Sequence, residues 1–160
     1  QQRTPIQSPD AITYLKVKVG KEFRYGKFAL NNTVMYQKVT QTGDIFNVPE
    51  LVTRNPLYFT DKWFKKALFI QTGITFSYFT EYNADGYSPL LGEFYSQDQQ
   101  KIGSFPRVDI FINAKVRRTR IYLKAEHLNS SITGYNFFSA PNYPYRDFIV
   151  RFGLVWNFFS

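Results

Sequence analysis

The stretch that decides the fold is the last one, DFIVRFGLVWNFF, residues 147–159. Phe148, Val150, Phe152, Leu154, Trp156 and Phe158 fall on one face without a break, while Arg151, Gly153 and Asn157 fall on the other. A strand rises about 3.3 Å per residue with side chains alternating, so this apolar stripe is roughly 33 Å long. Strands of water-soluble domains usually stop at about five or six residues. An unbroken apolar face of this length fits a tilted strand crossing a membrane.

The same period recurs upstream. Leu15, Val17 and Val19 alternate with Lys16 and Lys18; Phe28, Leu30, Val34 and Tyr36 oppose Ala29, Asn31, Thr33 and Gln37. Leu68, Ile70, Ile74, Phe76 and Tyr78 oppose Gln71, Gly73, Thr75 and Ser77. Val108, Ile110, Ile112, Ala114 and Val116 alternate with Asp109, Asn113 and Lys115. Ile121, Leu123 and Ala125 do so with Arg120, Tyr122, Lys124 and Glu126. No segment sustains a 3.6-residue period, so no helix is expected. The pattern predicts seven strands, at 11–20, 27–40, 67–80, 87–97, 107–117, 120–129 and 147–159. The fourth carries Pro89 and Gly92, which interrupt it.

Composition narrows the function. The chain has 160 residues, no Cys and one His, His127. A disulfide scaffold, a cysteine nucleophile and a multi-histidine metal site are therefore excluded. No nucleophile elbow accompanies His127, which reads as a surface residue near a strand end, and no carboxylates pair for acid–base work. The chain reads as a non-enzyme with no cofactor and no metal. Mean hydropathy of −0.33 would class it as soluble, but that average is blind to alternation. The formal charge is +8. A nucleic-acid surface needs aromatic and basic groups together; here strand parity separates them, so no nucleic-acid partner is expected. The sequons at Asn31 and Asn129 read as chance matches, and Arg117 and Arg118 as caps of a solvated turn.

Links also alternate in length: short near Gly20–Gly26, long at 41–66, short at Asn83–Gly86, intermediate at 98–106, tight at 117–119 and long at 130–146. Outer-membrane barrels have tight periplasmic turns and longer extracellular loops. With short links periplasmic, the first and last strands both descend, and residues 1–10 form an extracellular lead-in. Single-chain bacterial barrels have even strand numbers. The odd count, with an extracellular start, predicts one C-terminal portion of a larger barrel domain over 1–160, or a piece of a split one. Loop 41–66, with Ile45, Phe46, Leu51, Val52, Leu57, Tyr58 and Phe59, is apolar enough to fold into the lumen or dock on a partner. At the tight turn, a two-residue loop would oppose Lys115 to Arg120 and Asp109 to Glu126, so avoidance of like-charge pairs predicts a four-residue loop, 117–120.

The stretches NVPELVTRNPLYF (47–59), YFTEYNADGYSPLLGEFYSQD (78–98), VDIFINAKVRRTRIYLKAEHLN (108–129) and YPYRDFIVRFGLVWNFFS (143–160) resemble the C-terminal region of the "putative porin" family of Bacteroidota. The resemblance covers most of 25–160 and implies an outer-membrane β-barrel several times longer than this chain. It offers no catalytic residues to carry over. As in outer-membrane barrels generally, Phe152, Leu154, Trp156 and Phe158 match the alternate positions that insertion machinery reads, with Ser160 where an aromatic usually stands.

The expectation is thus an all-β, antiparallel transmembrane β-barrel in the bacterial cell outer membrane. Its function would be porin-like passive diffusion of small solutes. Lys16, Lys18, Lys115, Arg120, Lys124 and Arg151 would line the lumen and bias it toward anions, unless Asp109, Glu126 or other acidic residues pair with them. Phe148, Val150, Phe152, Leu154, Trp156 and Phe158 would face lipid and carry the insertion signal, with Tyr78, Trp156 and Phe158 near interfacial girdles. The partners would be the lipid bilayer, lipopolysaccharide and the insertion machinery. The alternative is a structural or accessory barrel with a plugged lumen, bound to other outer-membrane subunits. A soluble β-sandwich binding module is a third reading.

Overall fold

The computed structural model describes residues 9–43, 45–133 and 137–158. In chain order the elements are β1 (Thr13–Tyr25), β2 (Phe28–Thr40), β3 (Leu51–Trp63), β4 (Leu68–Phe79), β5 (Tyr82–Asn83), β6 (Gly86–Ser88), β7 (Glu93–Tyr95), β8 (Lys101–Ile102), β9 (Arg107–Val116), β10 (Thr119–Glu126), α1 (Ser130–Thr133), β11 (Phe138–Ala140), β12 (Tyr143–Pro144) and β13 (Ile149–Trp156). Seven of them form one antiparallel meander, β1-β2-β3-β4-β9-β10-β13. The sheet is open: among the described residues β1 and β13 are its edges and do not pair with each other.

Link lengths sort the two ends of this sheet. Tight turns at 26–27, 64–67 and 117–118 lie at one end. Links 41–50, 80–106 and 127–148 lie at the other.

Strand number agrees with the sequence reading, but membership does not. Residues 51–63, expected within a loop, form β3, a full 13-residue strand in the middle of the sheet. Its apolar face carries Thr53, Asn55 and Asp61 besides Leu51, Leu57 and Phe59, which hid the alternation. Pro56 hid it further, because proline lacks the ladder donor. The β3–β4 ladder runs unbroken through Pro56↔Thr75, whereas the β2–β3 ladder lapses between Leu30↔Leu57 and Thr33↔Arg54. The missing N–H therefore falls on the β2 side. With β3 in the sheet, loop 41–66 does not exist as a docking loop.

Conversely, the strand expected at 87–97 is absent from the sheet. Residues 80–106 form two small two-stranded pieces, β5–β8 and the β6–β7 hairpin. Pro89 and Gly92 sit at the tip of that hairpin, with Gly92 at φ 67° and its N–H on the Ser88 carbonyl at 2.8 Å. The turn expected at Asn83–Gly86 is not formed: Asn83 ends β5, Gly86 begins β6, and the two residues between them are irregular. Gly86 is needed there because a Cβ would strike the Tyr95 ring opposite it.

Two wall glycines obey the same rule. A Cβ on Gly73 would run into the Leu57 carbonyl oxygen and the Cα and Cβ of Tyr58, its cross-strand partner, and one on Gly153 into the ring of its cross-strand partner Tyr122. The Tyr122 ring lying over Gly153 covers an otherwise bare stretch of polar face.

At 117–118 the loop has two residues, not four. Lys115 faces Arg120, and the ladder continues to Ala125↔Ile110. Arg117 takes φ 52°, which closes the short turn. The Lys115–Arg120 opposition lies at an exposed strand end, where solvent screens it. This register also sets Lys124 between Asp109 and Glu126, so the second like-charge pair is bridged by a cation.

The parity of the pairings puts the apolar stripes of all seven strands on one face. That face is bare: Phe152 is 82% exposed and Leu154 63%, and Leu15, Val19, Val34, Leu57, Ile74, Ile110 and Leu123 are exposed too. Seven strands spaced about 4.8 Å apart make this surface roughly 30 Å across, and the shortest strands give it a height of about 26 Å. Isolated soluble proteins rarely expose contiguous apolar patches above a few hundred Å². Buried apolar side chains are few, and Ala84, Ile102, Phe105 and Phe137 among them belong to the long links. No helix among the described residues is long and apolar enough to cross a membrane, which leaves strand crossing open.

Candidate functional site

The densest chemistry lies on the polar face at the long-link end of β9, β10 and β13. Period-two alternation puts Arg107, Asp109, Lys124, Glu126 and Arg151 on that face, and pairing brings them together. Lys124 is the Cα partner of Arg151 on one side and Phe111 on the other. Lys124 Nζ reaches Glu126 Oε1 at 2.7 Å and Asp109 Oδ2 at 3.4 Å. Arg107 Nε lies 3.5 Å from Asp109 Oδ1. Glu126 Oε2 faces Arg151 Nε at 3.3 Å and Arg146 Nη1 at 3.5 Å.

Four cations thus surround two carboxylates, leaving a local excess of positive charge. Asp109 is only 2% exposed and Glu126 9%, whereas the side chains of Lys124, Arg146 and Arg151 are more than a third exposed. Burying carboxylates is tolerable only when they are paired. The water-accessible part of the cluster is cationic.

What buries the carboxylates is a lid folded from the two longest links. Phe105, Phe137 and Tyr145 enclose His127, with ring centroids 6.0, 4.7 and 5.6 Å from the imidazole. The sequence suggested a surface histidine, but His127 is 0% exposed. Its backbone N–H donates to Asp109 Oδ1 at 3.0 Å, and its Nδ1 lies 2.9 Å from the Arg146 carbonyl. Arg107 Nη1 donates to the Tyr145 hydroxyl at 2.6 Å, and the Arg107 and Arg146 guanidiniums sit 5.7 and 5.4 Å from the Tyr145 ring centroid. Asn129 fixes the corner: its Oδ1 accepts from Val108 N at 2.9 Å and its Nδ2 donates to the Pro106 carbonyl at 2.8 Å.

Among the six basic residues singled out from sequence, Lys124 and Arg151 meet in this cluster. Lys115 and Arg120 face each other near the tight-turn end, and Lys16 and Lys18 lie on β1 at the far edge, opposite Gln37 and Met35. Among the described residues none of these four makes an ion pair with a carboxylate. Arg107, Arg146 and Tyr145 were not singled out. Arg107 begins a strand and could have been found by extending the β9 parity by one pair. Arg146 and Tyr145 lie on a long link, where no period signals direction.

A second concavity lies on the polar face near the tight turns. It has a volume of about 360 Å³ and is lined by Arg24, Lys27, Tyr58, Thr60 and Gln71, among others. Glu22 holds its Arg24 and accepts the Tyr58 hydroxyl at 2.8 Å. Among the described residues no group of three His, Asp or Glu side chains is arranged to hold a metal ion.

The six apolar residues of the last stretch, Phe148 to Phe158, are all exposed on the bare face. Ser160 lies outside the described residues. Comparison with known proteins gives one match: the model of a family described as "Putative porin" covers residues 1–160. No curated protein and no solved structure matches the chain.

Proposed function

The chain belongs to the "Putative porin" family, and from that membership we propose that it is a section of an outer-membrane β-barrel wall through which small solutes diffuse passively. One observation carries the reading. Seven consecutive antiparallel strands segregate an exposed apolar face from a polar and basic one. A surface of this kind needs an apolar solvent on one side and water on the other, which is the position of a barrel wall. The lipid bilayer would cover Phe148, Val150, Phe152, Leu154, Trp156 and Phe158, and those alternate residues would serve the insertion machinery. The open edges of β1 and β13 would be completed by further strands, since an unpaired edge inside hydrocarbon is not tolerated.

Solutes would pass along the polar face. Among the described residues Lys16, Lys18, Lys115 and Arg120 make no ion pair with a carboxylate, and the cluster around Lys124 and Arg151 has an excess of positive charge, so the lumen would favour anions. The lid over Asp109 and His127 supports a second reading, a structural barrel whose mouth is closed at the extracellular end, where lipopolysaccharide would surround it. Planar-bilayer conductance of the full-length protein separates the two. Ohmic current with chloride more permeant than potassium is the expected result. A silent bilayer with insertion verified by protease protection would eliminate the channel and leave the structural barrel.

A further inference from the structure

The charge of the protein is segregated along the strands, in addition to being segregated between faces. Five of its cations occupy the three tight turns: Lys27, Lys65, Lys66, Arg117 and Arg118. Another five lie in the strand halves beside those turns: Lys21, Arg24, Lys62, Lys115 and Arg120. Only two carboxylates, Glu22 and Asp61, share that half of the sheet. Arg3 and Asp44 lie outside the described residues; the long-link half holds the remaining nine cations and nine carboxylates. The net charge of the described residues, +8, therefore sits at the tight-turn end.

That basic rim borders an aromatic band. Tyr25, Phe28, Trp63, Trp156 and Phe158 are exposed where the apolar face meets the turns, with Tyr25 89% bare, and Phe64 projects from a turn at 76%. Rings of this kind settle at the headgroup level of a bilayer, and lysine stems extend past them toward water. In the turn at 64–66, Phe64, Lys65 and Lys66 all take left-handed φ values of 53°, 53° and 73°. Long side chains rarely adopt that region, so glycine or asparagine would serve the turn at lower strain. What the turn gains is a ring and two ammonium groups side by side at the rim.

We propose that the tight-turn rim binds the anionic phosphate headgroups of the phospholipid leaflet beside it. The proposal rests on the barrel reading above, and it is a property of the outer rim alone. Its chemistry is a row of cations one layer beyond an aromatic belt; among the described residues the ion pair at the turn lysines is that of Lys27 Nζ with Asp61 Oδ2 at 2.7 Å. An anionic leaflet attracts each nearby Lys or Arg by about fivefold in association, and salt removes that attraction.

The test uses the full-length protein in phosphatidylcholine vesicles containing spin-labelled phosphatidylglycerol or spin-labelled phosphatidylcholine, with the relative association constant read from the motionally restricted fraction. Wild type should prefer phosphatidylglycerol several-fold, and about 1 M salt should abolish the preference. The variant Lys65→Gln/Lys66→Gln should lose a large part of it, and adding Arg117→Gln/Arg118→Gln should bring the ratio near one. Lys38→Gln/Lys101→Gln, with the same charge change at the opposite end, should leave it intact. If the four-residue variant does not insert, the double variant and the salt titration of wild type decide the matter. Equal association of both lipids with inserted wild type, or a preference removed only by the opposite-end variant, would overturn the rim. Displacement of phosphatidylglycerol by lipopolysaccharide at equal phosphate would overturn the assignment to a phospholipid leaflet. Failure to enter the vesicles at all, read by protease sensitivity, sinks the barrel reading and the rim with it.

Discussion

The wall and the lid bury opposite things. On the wall, Phe152 and Leu154 are bare and the few buried side chains include Gln37, Thr75 and Asp109. In the lid, within about 45 residues of the same chain, Phe105, Phe137 and Ile102 are buried as in a water-soluble core. One sequence therefore builds two regions that bury opposite kinds of side chain. The wall's apolar residues are held in place by a backbone ladder and need no side-chain partner inside the protein. The lid's rings hold their own links together, because little regular ladder exists there to do it.

The sharpest way to break this comparison is to truncate one ring in each region. Phe137→Ala should cost about 3–5 kcal/mol of local stability, as ring removal from a packed site does. Hydrogen exchange should then rise in 102–109 and 127–145. Phe152→Ala should leave exchange in the wall almost unchanged, since that ring touches no core. Similar effects at both positions would mean that the apolar face is packed against something within the protein.

Next in size is a charge placed on each face of one strand. Leu154→Arg should destabilise the inserted protein by about 2–4 kcal/mol in urea unfolding from vesicles. Arg151→Leu should cost less, because Lys124 and Arg146 still face Glu126. Equal losses would undo the assignment of faces.

Within the polar face, Glu126→Gln removes the carboxylate that Lys124, Arg146 and Arg151 share. The released cations should raise the chloride-to-potassium permeability ratio of the full-length channel, and an unchanged ratio would place the cluster off the solute path. The smallest expected effect on stability is from Lys115→Glu/Arg120→Glu. These exposed positions should change urea stability by no more than about 0.5 kcal/mol each, while reversal potentials move toward potassium. Reversal potentials that do not move would separate these residues from the conduction path.

The two regions also differ in how far they could be read from residues alone. Alternation from Phe148 to Phe158 is visible because successive Cβ atoms leave a strand on opposite sides, a local property of the backbone. The same rule placed Lys124 and Arg151 on one face. It failed at residues 51–63, where Thr53, Asn55 and Asp61 break the stripe and Pro56 lacks a ladder donor, although the neighbours β2 and β4 hold the strand in line. It failed in the other direction at 87–97, where alternating residues close on themselves as a hairpin around Pro89 and Gly92. His127 was invisible as a buried residue because its enclosure comes from Phe105, Phe137 and Tyr145, which lie on two different links.

Sequence by itself thus determined the period, the two faces and the chemistry available to each face. Tertiary structure alone decided which segments joined the sheet, the two-residue turn at 117–118 and the meeting of Asp109, Glu126, Lys124, Arg107, Arg146 and Arg151. The physical reason is range. Side-chain alternation depends on one residue and its neighbours, whereas register depends on how a whole cluster of charges is satisfied. A like-charge pair that looks unfavourable between two strands becomes acceptable once Lys124 between them, Arg151 on a third strand and Arg146 on a long link supply the cations.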